Sequence, residues 1–117
     1  MSTNSKQAVS QLKDGNVLAV YDSRHAASSA TDTDIASIRK VCRGTRRTAG
    51  GYQWENVSMN EMVTRTSNMI IQKDIDGVVV GLYDTIQRAS EVSGIKTGYI
   101  KYAVAGKRKI AGGYHWI

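Results

Sequence analysis

The chain has 117 residues, 41% hydrophobic and 22% charged, which is typical of one folded, compact body. Its one cysteine, Cys42, excludes an internal disulfide and a cysteine-based metal site and is expected to be a small buried thiol. No apolar run is long enough for a membrane span and the N-terminus lacks a signal-peptide core, so we expect a cytoplasmic protein, in the host cytoplasm if a phage encodes it.

The formal charge of +6 is concentrated in two short segments. Residues 39–47 carry five cations and residues 101–109 carry four, with no acid in either segment, so the rest of the chain sums to −3. A solvated surface without a charged partner usually mixes both signs. This segregation therefore predicts a partner that carries phosphates.

Two β-hairpins are predicted, one near the start of the chain and one in its middle. Residues 7–20 have a strand-like alternating pattern on both sides of Asp14-Gly15. Residues 69–83 form two apolar runs on either side of Asp76-Gly77. Asp-Gly between two such runs predicts a two-residue turn, in which both residues take positive φ.

Each hairpin is followed by two predicted helices. The sequences Tyr-Asp-Ser and Tyr-Asp-Thr supply N-caps for alanine-rich segments at 23–30 and 85–92. A second helix is expected to begin near Thr33-Asp34 in one case and near Thr97 in the other. Gly44 and Gly106 stand where a left-handed residue would end these helices.

The motif Ala-Gly-Gly-Tyr-x-Trp occurs twice, at 49–54 and 111–116, and predicts a closing strand for each unit. The offset of 62 residues also aligns the hairpins, the helix starts and Ile38 with Ile100, which indicates a tandem duplication. We predict an α+β fold of two ββααβ repeats, at 7–54 and 69–117, packed into one compact body. The connection at 55–68 fits a short helix or an ordered loop equally well.

Catalytic patterns are absent from the sequence. His25 and His115 are not equivalent in the two repeats, and the duplicated Asp22 and Asp84 are explained by capping. There is no metal-ligand spacing, Cys/His pair or phosphate-binding glycine loop. The sequence therefore predicts a protein that is not an enzyme and has no cofactor, metal or catalytic residue.

The two basic segments are the predicted phosphate-binding sites. Cations at a helix end can be explained by the helix dipole, but that accounts for only one or two charges in each copy. The predicted phosphate contacts are Arg39, Arg43, Arg46, Arg47, Lys101, Lys107, Arg108 and Lys109.

Aromatic side chains beside these cations are candidates for stacking on bases. The predicted stacking residues are Tyr99, Tyr102, Tyr52 and Tyr114. Trp54 and Trp116 could stack in the same way or belong to the core. Because the chain contains no phenylalanine, we favour the core for both tryptophans.

The order of motifs in each half resembles that of the NUMOD-type repeat. The motifs are Tyr-Asp-Ser/Thr, an alanine-rich helix, a second helix and Gly-x-Arg-x-x-Ala-Gly-Gly-Tyr-x-Trp. The resemblance covers about 14–54 and 76–116. It implies helix-turn-helix-like DNA-binding modules of the kind attached to phage and intron homing nucleases, although no nuclease domain is recognised here. The recognition helix would be helix two, and the contacts that the resemblance implies are Ser37, Arg39, Lys40, Arg43, Tyr99, Lys101 and Tyr102.

Two binding functions remain open. The one we favour from sequence is a phage sponge that sequesters a cyclic dinucleotide immune signal, similar to the anti-CBASS proteins, because a sponge is complete once it binds. The alternative is a duplex DNA-binding protein that lays helix two of each repeat in the major groove. In either case the short repeats predict a homo-oligomer, a dimer or a tetramer.

Overall fold

The computed structural model describes residues 7–65 and 68–117. The elements in chain order are β1 (Ala8–Lys13), β2 (Asn16–Tyr21), α1 (Arg24–Thr31), α2 (Ile35–Arg43), β3 (Gln53–Val57), α3 (Met59–Arg65), β4 (Ile70–Lys73), β5 (Val79–Tyr83), α4 (Ile86–Ser93), α5 (Thr97–Val104) and β6 (His115–Trp116). Both halves therefore have the order ββααβ. The predicted α+β class and the tandem repeat within one body are confirmed.

All six strands form one antiparallel sheet, in the order β3-β1-β2-β5-β4-β6. Each half contributes three adjacent strands, and the halves join where β2 pairs with β5. The closing strands β3 and β6 lie at opposite edges. The two halves thus share one sheet.

The central pairing relates the halves by a pseudo-twofold axis. Val20 pairs with Leu82, which is its own equivalent 62 residues later. The flanking pairs exchange equivalents in the same way: Ala19 with Tyr83 and Tyr21 with Gly81. An axis through an antiparallel pair of this register is perpendicular to the sheet, so both halves present their helices on the same face.

The sheet is covered on both faces. One face packs against the four duplicated helices, in a core that includes Ile38, Ile100, Trp54 and Trp116. On the other face α3 lies over the centre of the sheet, where Met62 packs with Val20 and Leu82. The connection between the repeats is therefore a short helix, which settles the choice that the sequence left open. It crosses the back of the sheet.

The two hairpin turns differ, contrary to the sequence prediction. In the first, Asp14 and Gly15 both take positive φ, at 52° and 82°, as a two-residue turn requires. In the second, the Asp74 amide donates to the Val78 carbonyl, so three residues lie between the paired ends and Gly77 alone among them has positive φ. The second turn is one residue longer.

The first helix of each half begins as predicted, with a hydroxyl cap. The Ser23 oxygen accepts from the amide of Ala26, and the Thr85 oxygen accepts from the amide of Arg88. The aspartate is not the capping residue. Asp84 instead forms an ion pair with Arg88, with 2.8 Å between the Arg88 Nε and the Asp84 Oδ1.

The Gly-Gly of the closing motif forms a turn instead of a strand. Ala49 and Tyr52 exchange backbone hydrogen bonds around Gly50 and Gly51, whose φ values are 62° and 86°. The second copy has the same turn. The strand begins only after the tyrosine, and β3 runs to Val57. The repeat boundaries at 7–54, 55–68 and 69–117 stay predictions.

In the part of the chain that the structure describes, no helix has both the length and the apolar character needed to cross a membrane.

Candidate nucleic-acid interface

The second helix of each half has a buried side and an exposed side. Ile38 and Val41 of α2 face the core, as do Ile100 and Ala103 of α5. The residues between them on the helix circumference are exposed. The pattern leaves a full outer face on each helix for contact with a partner.

These two helices occupy the outer positions of the helical layer. Helix α1 packs on β1 and β2, whereas α2 packs on α1 and on the edge strand β3. In the other half α4 packs on β5, and α5 packs on α4 and on the edge strand β6. The order across the layer is therefore α2, α1, α4, α5. The two basic segments lie towards opposite edges of the same face.

The basic turn of the first half is tied to α2 through Arg46. Its Nε donates to the carbonyl of Thr48 at 2.8 Å, and a terminal nitrogen donates to the Ser37 hydroxyl at 3.1 Å. Ser37 lies in the first turn of α2, beside its cap Asp34. This arginine therefore holds the turn against the start of the helix.

The second half repeats this arrangement with different chemistry. The Nε of Arg108 donates to the carbonyl of Ile110 at 2.8 Å. Its guanidinium carbon lies 4.7 Å from the centroid of the Tyr99 ring, which replaces Ser37. A cation–π contact thus substitutes for a hydrogen bond. Both arginines remain exposed.

The predicted phosphate-contacting residues are all exposed, and the structure brings each set together on one helix and its following turn. No ion pair is formed, among the described residues, by any cation of the two segments. Those cations are Arg39, Lys40, Arg43, Arg46, Arg47, Lys101, Lys107, Arg108 and Lys109. Nine positive charges are therefore not neutralised from within the described chain.

The four predicted stacking tyrosines fall into two environments. Tyr99 and Tyr102 are exposed on α5, by 44% and 52%. Tyr52 and Tyr114 are half-buried and contact Trp54 and Trp116 edge-on, at centroid distances of 6.2 and 6.3 Å. The base-stacking role of all four stays a prediction.

The tryptophans belong to the core, as favoured from the sequence. Trp54 and Trp116 are 2% and 4% exposed, and each indole nitrogen donates to the carbonyl of the alanine that opens its motif. They pack on Tyr21 and Tyr83, at ring distances of 6.4 and 6.3 Å. Burial raises the pKa of both core tyrosines well above the usual value.

Lys96 is a surface cation that the sequence argument did not include. It occupies the N-cap position of α5 without a side-chain capping bond and is exposed, so it adds to the basic segment that follows it. Its equivalent in the first half is Asp34, so the two helices start with opposite charges. A charge count that began at the helix start would have found it.

No three or more His, Cys, Asp or Glu side chains are grouped to hold a metal ion within residues 7–65 and 68–117. His25 is exposed on α1, and His115 is half-buried in β6. Cys42 is half-buried beside the core, and desolvation by burial is the main cause that raises the pKa of its thiol.

A comparison with known proteins finds a similarity to a probable mobile endonuclease B of Enterobacteria phage T4. The two sequences are 29% identical over an alignment length of 113. The match covers 78% of this chain. The chain spans 42% of the length of that relative. No family model matches the chain, and no solved structure matches it.

This comparison corrects one prediction and changes the order of two others. The prediction that the protein is not an enzyme is contradicted by this similarity, since the relative is named as a probable endonuclease. The homing-nuclease link drawn from the closing motif is supported. The comparison also favours the DNA-binding alternative over the cyclic dinucleotide sponge, which gains no support from it.

Proposed function

We propose that this chain binds duplex DNA through the outer faces of α2 and α5 and through the two basic turns, and that this recognition serves DNA cleavage of the mobile-endonuclease kind. The observation that carries the proposal is the pair of exposed, unneutralised basic surfaces on one face of a single sheet. The similarity to a phage endonuclease supports it.

The distribution of charge favours a long polyanion over a small nucleotide. The two basic surfaces lie towards opposite edges of a six-stranded sheet, whose edge strands are roughly 24 Å apart at a spacing of about 4.8 Å between strands. A cyclic dinucleotide carries two phosphates and cannot engage both surfaces at once. Duplex DNA carries one phosphate charge for about every 1.7 Å of its axis and can engage both.

Within this proposal the residues divide by role. In this proposal Arg47, Lys107 and Lys109, which are exposed in the basic turns, contact phosphates and so position the protein. In this proposal the outer faces of α2 and α5 read base edges in the major groove, as the NUMOD-type resemblance implies. Arg46 and Arg108 hold the turns in place while remaining exposed.

The proposal is tested by measuring the affinity of the purified chain for labelled duplex DNA at several salt concentrations, by fluorescence anisotropy. If three to five of the cations in the basic turns contact phosphates, the slope of log K against log salt is about −3 to −5. A slope near zero, together with a rise in melting temperature on addition of a cyclic dinucleotide, would replace DNA binding with the sponge.

A matched pair of variants locates the contact. Arg47 lies in the first basic turn, and Arg65 lies at the end of α3 on the opposite face of the sheet; both are exposed. Arg47→Ala is expected to weaken binding to all duplexes and to make the salt slope shallower by about 1. Arg65→Ala removes the same charge and is expected to leave the slope unchanged. Equal effects of the two variants would contradict the proposed face.

The cleavage part is tested separately on a duplex that the chain binds. The complex is incubated with Mg²⁺ and analysed on a denaturing gel: strand-scission products would support cleavage by this chain, and Arg47→Ala should then reduce them because less DNA is bound. Binding without any scission would remove cleavage from the proposal and leave recognition in place.

A further inference from the structure

We infer that the DNA target is bipartite: two dissimilar half-sites in inverted orientation, centred about one helical turn apart. The inference rests on the proposed function and goes beyond it, because it follows from the symmetry of the sheet and from the differences between α2 and α5. One chain then presents two recognition helices, which a helix-turn-helix dimer presents with two chains.

The inverted orientation follows from the central strand pair. The pseudo-twofold axis passes through the pair Val20 and Leu82 and is perpendicular to the sheet. It places α2 and α5 on the same face with opposite directions. Two recognition helices related by such an axis read sequences of opposite polarity, as twofold-symmetric dimers do. A direct repeat of the half-sites does not fit this geometry.

The spacing follows from the width of the helical layer. Going from α2 to α5 crosses three steps, of which α2–α1 and α4–α5 are packed helix pairs. At about 8–10 Å for each step, the total is at least roughly 24–30 Å. The middle step is not a packed pair: an open cleft lies between α1 and α4, lined by Ala26, Ser29, Val92 and Ser93 together with Tyr21 and Tyr83. The separation therefore approaches the ~34 Å between successive major grooves on one side of B-DNA.

The dissimilarity of the half-sites follows from the outer faces. The outer face of α2 consists of Ser37, Arg39, Lys40 and Arg43. The equivalent positions 62 residues later are Tyr99, Lys101 and Tyr102 on α5 and Ala105 directly after it. The face of α2 offers donors that pair with guanine O6 and N7. The face of α5 keeps one cation and adds two exposed rings, which suit apolar contact with thymine methyl groups.

The test is selection of bound sequences from a pool of duplexes with about 30 random base pairs. The unaltered chain is expected to select two different motifs whose centres are about 10–10.5 base pairs apart. A single uninterrupted motif, or two motifs in direct repeat, would overturn the inference while leaving duplex binding intact. Failure to enrich any duplex would overturn both proposals.

A symmetrised variant tests the link between each helix and its half-site. Tyr99→Ser, Lys101→Arg, Tyr102→Lys and Ala105→Arg together give the second half the outer face of α2. The introduced serine also restores a hydroxyl for Arg108, as Ser37 does for Arg46. The selected site is then expected to become a palindrome of the α2 half-site. Selection of the original two motifs would contradict the assignment.

Double alanine substitutions keep the test informative if the fourfold variant does not fold. Arg39→Ala with Lys40→Ala is expected to erase one motif and leave the other, and Tyr99→Ala with Tyr102→Ala is expected to do the reverse. All four side chains are exposed, so the fold should be retained, as the melting temperature can verify. Loss of both motifs in either variant would contradict two independent half-sites.

Discussion

Related by the pseudo-twofold axis, α2 and α5 bury equivalent side chains but expose different ones. Ile38 and Ile100 are fully buried at the same position of the core, and both closing motifs have the same turn. On the outer faces, Ser37 and Lys40 correspond to Tyr99 and Tyr102. The comparison separates residues that hold the shared fold from residues that are free to specify a partner.

The basic turns make the same point at closer range. Both halves use the arginine Nε to hold the turn through a backbone carbonyl two residues ahead, and this geometry is retained. What the guanidinium contacts on the helix has changed, from a hydroxyl to an aromatic ring. A fixed scaffold thus carries two surfaces of different chemistry.

The largest expected effect comes from the tryptophans. Trp54→Ala and Trp116→Ala are each expected to lower the free energy of unfolding by about 3–5 kcal/mol, because each removes a buried side chain and its bond to an alanine carbonyl. Urea unfolding followed by circular dichroism measures both. A loss below about 1 kcal/mol for either would break the equivalence of the two cores.

Alkaline pH is expected to destabilise both halves together. Burial raises the pKa of Tyr21 and Tyr83 in the folded state, so the unfolded chain releases these protons first. The stabilisation is complete below about pH 10, the unfolded value, and falls by about 1.4 kcal/mol per pH unit per tyrosine above it. Urea unfolding between pH 9 and 11 measures the slope.

Single phenylalanine substitutions provide the control for this slope. Tyr21→Phe and Tyr83→Phe each remove one titrating group, along with a hydrogen bond of 2.6 Å to Gln11 or Gln72. Each variant is expected to halve the alkaline slope. An unchanged slope in both variants would assign the pH dependence to other groups.

The two glycines of the closing motif are expected to differ from each other. Both have positive φ, so alanine at either position costs about 1–2 kcal/mol. A Cβ on Gly50 would also collide with Thr33, whereas one on Gly51 would meet open space. Gly50→Ala is therefore expected to lower the melting temperature more than Gly51→Ala. Gly112→Ala should exceed Gly113→Ala likewise, through Ile95. Equal losses would show that Thr33 and Ile95 move aside.

The smallest expected effect on stability is at the arginines of the turns. Arg46→Lys and Arg108→Lys keep the charge but lose the Nε bond to the turn, and each is expected to cost less than about 1 kcal/mol because the site is exposed. Thermal unfolding measures this. Under the proposed function, the loss of binding free energy for DNA should be larger than this loss of stability, since the turn that carries the cations is no longer held. Unchanged affinity would argue against the holding role.

The signals that predicted the site and the fold were local. Ser23 and Thr85 mark helix starts through their own hydroxyls, and the Asp14-Gly15 turn is read from two residues. The same reasoning failed at Asp76-Gly77, because a third turn residue changes the conformation that Asp-Gly adopts. The prediction against catalysis failed for a different reason, since it rested on missing motifs and could not weigh a distant similarity.

By itself the sequence determined the duplication, the order of elements in each repeat and the two acid-free basic segments, and it favoured burial of the tryptophans. These properties depend on side-chain chemistry and on neighbours a few residues apart. Only the tertiary structure decided that β2 pairs with β5, that α3 crosses the opposite face, and that α2 and α5 share one side of the sheet. Strand pairing between the repeats joins residues far apart in sequence, such as Val20 and Leu82, and their apolar side chains could be buried in many arrangements. The packing of the whole sheet selects the symmetric arrangement.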